Sequence, residues 1–193
     1  MYRPTHIILL VSAAMLSLGT VGLAVGDDDD HEDGWVAPRA DVAPVTSSIY
    51  RQECGSCHMA YQPGLLPALD WARIMAPASL ADHYGDDASL SDPPRAEIAS
   101  YLVAHSADQG THSRSRAFAL LDPATGAETD AALPRITRTR YFIHEHHEIP
   151  ERLVTGNPDV ASFSQCNNCH LRANDGIYNE DQVSIPGFGH WED

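Results

Sequence analysis

Lysine is absent: all 12 basic residues of this 193-residue chain are arginines, set against 27 aspartates and glutamates. No carboxylate precedes Gly26, and Arg3 lies in that leading stretch, so the remainder carries 11 arginines against 27 carboxylates, a net charge of −16 with histidine neutral. Such a balance argues against nucleic acid and anionic membrane surfaces as partners, and it steers encounters with a basic protein in a salt-dependent way. Plain solubility is the competing explanation. Long hydrophobic runs are also missing, with one exception from Ile7 to Val25. Arg3 before it and the small residues Ala24-Val25-Gly26 after it make residues 1–26 a secretory signal. A retained membrane anchor is the alternative, because the run is nearly long enough to span a bilayer. Both readings export the rest of the chain.

Strand signals and internal repeats are lacking as well, and what remains reads as mainly helical. Residues 27–45, acidic at first and then proline-containing, show no hydrophobic periodicity and are expected to be a disordered linker. Thr46 or Ser47 offers an N-cap for a short helix through Tyr50 to Cys54. A second helix is expected from Ala68 to Met75, before Pro77, and a third is opened by Asp92-Pro93-Pro94 and runs through Ile98 and Leu102 to His105. A polar stretch from Ser106 to Ser115 marks the boundary between two small units, 46–110 and 111–193. In the second unit helices are expected over residues 136–149 and from Asn157-Pro158 into Cys166. The tail from Leu171 reads as irregular. Units of this size are marginal without a staple.

Only four cysteines are present, and they fall into two matching sets, Cys54-Gly-Ser-Cys57-His58 and Cys166-Asn-Asn-Cys169-His170. Covalent attachment of haem needs two thiols to add to the two vinyl groups of one porphyrin and an imidazole to sit under the iron. Residues at i, i+3 and i+4 share a helical face, so each set presents all three groups together. Exported disulfides or zinc half-sites need no histidine after the second cysteine. With histidine at 11 of 193 positions, both would be followed by one by chance roughly 0.3% of the time. Two covalent haems c are therefore expected, and they consume every thiol.

Function then turns on the group across each iron: a filled position gives electron transfer, an open one binding or catalysis. For the first haem the candidates are Met75, His83, His105 and His112, with Met75 and His83 weighted equally; Met59 follows His58 directly and cannot reach the opposite face. For the second, no methionine follows Met75, and His112, His144, His146, His147 and His190 remain. His144, His146 and His147 lie on one amphipathic helix, where adjacent residues diverge by about 100°, so at most one faces a given iron. Spacing does not choose among them.

Several stretches together resemble the dihaem cytochromes c of phototrophic and other proteobacteria. They are Glu53 to Tyr61, Pro63-Gly-Leu-Leu-Pro67, Leu80-Ala-Asp-His-Tyr-Gly85 with Ala88-Ser-Leu90, Ile136-Thr-Arg-Thr-Arg-Tyr141 running into Glu145-His146, Glu148-Ile-Pro150, and Cys166 to His170. The resemblance covers most of residues 48–186, the initial acidic run excepted. It implies two small haem-binding lobes, the N-terminal one like a class I cytochrome c and the C-terminal one irregular with few helices. It also implies two histidine ligands per iron, His58 with His83 and His146 with His170. His83 lies 25 residues after His58 and His146 lies 24 before His170, so each haem is closed by its own half of the chain. The implied role is that of a periplasmic, low-potential one-electron carrier with no catalytic residues and no substrate at iron. Its redox partners would be an oxygen-binding monohaem cytochrome c or a membrane cytochrome b. The competing class is a dihaem peroxidase-like enzyme with one open iron, over which Glu145 or Glu148 would act; their plainer role is solvated helix charge.

Overall fold

In the computed structural model the described residues are 39–121 and 132–191. The acidic run 27–38 and the signal-like residues 1–26 lie outside them. The described residues cluster as one compact unit, and its architecture is mainly helical. Among the described residues no helix is long and apolar enough to cross a membrane.

The N-terminal half follows its local signals closely. Helix α1, Ser48–Cys54, starts where the Ser47 hydroxyl accepts the Tyr50 amide and ends at Gly55, directly after the first motif cysteine. Trp71 and Ile74 of α2, Ala68–Ile74, turn inward together with Ile98 and Leu102 of α4, Asp92–Ala104. These side chains pack around Leu66, Met75 and Leu80 in one apolar cluster. The short α3, Pro77–Ala81, uses its proline at the first turn, where no amide hydrogen is needed. Fully burying side chains of this kind stabilises by about 1.5–3 kcal/mol each.

The C-terminal half departs from its sequence pattern. Helix α5, Ser113–Leu121, takes up the apolar run that begins at Ala117. Instead of a continuous helix over 136–149, a 3-10 turn Ile136–Arg138 gives way to α6, Arg140–His146. Thr139 breaks the two apart: its backbone is extended and its hydroxyl caps α6 by accepting the Phe142 amide. The helix expected from Asn157-Pro158 does not form. Asn157 accepts the Asp159 amide in a tight turn and donates to the Pro186 carbonyl, and Ala161 takes a φ of 66°, which no right-handed helix continues. Only the single turn α7, Cys166–Cys169, remains helical there. The tail carries an antiparallel pair, β1 Ser184–Ile185 and β2 Gly189–His190, with Ile185 buried against Val154 and Val160.

Order begins earlier than the expected end of the linker at residue 45. Val42 is fully buried, and the Asp41 and Val42 amides both donate to the Gly176 carbonyl. The Tyr178 amide donates to the Asp41 carboxylate. A third apolar cluster draws from both halves, with Val42, Leu65 and Ala107 meeting Phe118 and Phe142. The contact is close at Gly176, whose φ is +75° and where an added Cβ would lie 2.1 Å from the Val42 carbonyl oxygen. Gly176→Ala is expected to destabilise the holoprotein by about 2–4 kcal/mol, from left-handed strain plus displacement of the Val42 backbone. Denaturant unfolding followed by haem absorbance measures it.

Candidate haem sites

Helix α1 delivers Cys54, half-buried, and the turn after it exposes Cys57 and brings His58 inward. His58 Nδ1 donates to the Met59 carbonyl at 2.7 Å, which leaves Nε2 with its lone pair for a metal. The Tyr61 ring stacks on the imidazole at 4.7 Å and 19°.

His83 stands on a tight hairpin between α3 and α4. It exchanges backbone hydrogen bonds with Asp86, and the two intervening residues, Tyr84 and Gly85, both have positive φ, 60° and 108°. That is the backbone a two-residue hairpin requires, and a tyrosine adopts it only where its surroundings hold it. Here they do: the Arg135 guanidinium lies 4.2 Å over the Tyr84 ring, and the Tyr84 hydroxyl donates to the Pro134 carbonyl. The hairpin aims His83 at His58, with ring centres 6.5 Å apart and planes inclined by 20°.

The second site repeats the pairing with different supports. His170 follows α7, fixed by a backbone bridge to Val183 and by the edge of Tyr178 at 5.3 Å. His146 ends α6, donating from Nδ1 to the Phe142 carbonyl at 2.9 Å and lying flat on the Phe142 ring at 3.9 Å and 8°. Its ring centre is 6.0 Å from that of His170, with planes crossed at 71°. His144 and His147 point to solvent, so the helix turns one of its three histidines inward. A cavity of about 370 Å³ lies beside the pair, bordered by Cys166, Cys169, Phe163 and Trp191.

Three of the remaining candidates have other roles. Met75 is buried in the core of the N-terminal half. His105 is exposed and donates to the Tyr101 carbonyl, and His190 is held by the Val183 carbonyl on the β-pair. Sequence reasoning assigned no role to Tyr61, Gln62, Arg114 or Tyr178, all of which border the two sites or join them. Their partners lie far along the chain, so no local spacing marks them.

These residues fit haem. Two metal–nitrogen bonds of about 2.0 Å, plus the distance of each nitrogen from its ring centre, add to about 6 Å, close to both histidine separations. His83 Nδ1 and His170 Nδ1 are buried without a protein partner. All four thiols are free, and burial, with the Glu53 charge second, pushes Cys54 up to about 11. The buried Cys166 thiol is likewise raised to about 11.

Burial also holds the second-site imidazoles neutral. It is the largest cause of the lowered His146 pKa, and with His146 and then Arg114 as lesser causes it brings His170 down to about 4. An unfolded histidine takes up its proton near 6.5, the folded His170 near 4, so across that window the unfolded state binds more protons and stability falls as pH falls. Denaturant midpoints of the holoprotein are expected to drop between pH 6.5 and pH 4, and iron bonding in the folded state extends the loss to lower pH.

The sequence profile of the dihaem cytochromes c matches residues 50–178. A solved dihaem cytochrome c from Shewanella baltica OS155 is 44% identical, covers 75% of this chain and 97% of its own, and superposes with a TM-score of 0.60. One from Rhodobacter sphaeroides is 37% identical, covers 71% and 100%, and gives 0.57. No curated protein matches. With two Cys-x-x-Cys-His sets, each facing a second imidazole, this chain belongs to the dihaem cytochrome c family, binds two haems c covalently and serves electron transfer.

Proposed function

We propose that the protein is a periplasmic, low-potential one-electron carrier in which His58 and His83 ligate one iron and His146 and His170 the other. The observation that carries this reading is the pairing of imidazoles at 6.5 and 6.0 Å, one from each motif and one from elsewhere in the same half. The haem supplies iron(II)/iron(III) exchange. The chain's own residues fill both axial positions, exclude exogenous ligands and tune the potential. An imidazole in place of a thioether lowers the potential relative to His/Met cytochromes, and the lone candidate thioether, Met75, is occupied in the core. With no position left open, the protein acts as a carrier and not as a peroxidase. Its acidic surface suits a basic face on a redox partner, an oxygen-binding monohaem cytochrome c or a membrane cytochrome b component. The signal-like leader supports export.

The reduced holoprotein is expected to ignore carbon monoxide, and the oxidised form to lack a methionine-sulfur charge-transfer band. His146→Ala should open one iron of the two, giving a half-amplitude carbon monoxide difference spectrum. A wild-type protein that binds carbon monoxide would sink the carrier reading in favour of oxygen or peroxide chemistry. A Cys166→Ala/Cys169→Ala variant should retain a single covalent haem by pyridine haemochrome and mass measurement.

A further inference from the structure

Arg114, in the first turn of α5, lies beside the second haem site. It borders both the 370 Å³ cavity and the smaller pocket next to it, alongside His146, His170 and Cys166. Among the described residues that border the large cavity it is the one arginine, and the chain has no lysine to take its place. The side chain is largely buried, and one end of the guanidinium is fixed. Nη1 donates to the Tyr141 hydroxyl at 3.0 Å and lies 3.6 Å from the Glu145 carboxylate. The other end is not: Nε is buried and has no hydrogen-bond partner in the protein.

The charge bears on the iron. Oxidation adds one positive charge at the iron, and a fixed cation in a partly buried site opposes that addition. Glu145 offsets part of the effect, but its carboxylate is the more solvent-exposed member of the pair.

We propose that Arg114 sets the midpoint potential of the second haem, its fixed positive charge raising that potential. The proposal rests on the placement of the second haem between His146 and His170. It makes Arg114 a tuning residue, not an iron ligand.

Potentiometric titration of the wild type, Arg114→Gln and Arg114→Lys, followed by visible absorbance, tests it. In Arg114→Gln one of the two one-electron steps should move to a more negative potential while the other stays. In Arg114→Lys, which keeps the charge, that step should remain close to its wild-type position. Two unmoved steps in Arg114→Gln, two steps moved equally, or a lysine variant displaced as far as the glutamine variant would each overturn the proposal. Carbon monoxide is added to every reduced sample. If the glutamine variant alone binds it, Arg114 supports a ligand instead of tuning the iron, and the proposal fails. If the wild type binds it, the filled-iron reading fails, while the displacement in Arg114→Gln still reports the charge.

Discussion

Gln62 ties the two halves of the structure together. Its side chain is fully buried; Nε2 donates to the Ala173 carbonyl and Oε1 accepts the Tyr178 hydroxyl, both at 2.6 Å. Ala173 and Tyr178 lie three and eight residues beyond His170, whereas Gln62 lies four beyond His58. One buried amide thus fixes the chain after the first haem motif to the chain after the second. Next to it, the Tyr61 hydroxyl donates to the Ser164 carbonyl just before Cys166, while its ring covers His58. Buried polar groups hold a structure in register only when all are satisfied, and here amide and hydroxyl satisfy each other.

On this frame the two sites reach the same pairing by unlike means. The first places its distal imidazole on a strained two-residue hairpin, braced by Arg135 over Tyr84. The second places it at the end of a two-turn helix, with the ring orientation fixed by a carbonyl and a phenyl group one turn back. The ring planes differ accordingly, 20° at one site and 71° at the other. The two sites are therefore distinct environments for their haems, because the contacts around a metal's ligands tune it along with the ligands themselves.

The structural economy of the C-terminal half follows from its size. Few helices form beyond α5, and its apolar cluster of Val154, Val160, Val183 and Ile185 is small. A small core leaves little to oppose chain entropy, so covalent haem and the contacts made by Gln62 and Gly176 carry a larger share of the stability.

Local chemistry made the haem motifs, helices α1, α2 and α4 and the mainly helical class legible, since thiol spacing, caps and proline positions act over a few residues. The residue opposite each motif was not legible from spacing. His83 shared its weight with Met75 and His146 with its neighbours, and a resemblance to known relatives, not geometry, separated them. Tertiary packing decides which of them face the motif histidines. Met75 is drawn into the core by Trp71 and Ile98, and α6 rotates His146 inward because Phe142 is buried beside it. The helices expected over 136–149 and from Asn157 failed for the same reason. Thr139 and Asn157 hydrogen-bond locally, competing with helix formation, and the surrounding fold favours the turns. What the sequence by itself determined is the cofactor chemistry, because attachment groups adjacent in the chain suffice for it. What only the tertiary structure decided is which side chains border the haem sites, because they come together from separate segments, as Arg114, His146 and Tyr178 do at the second site.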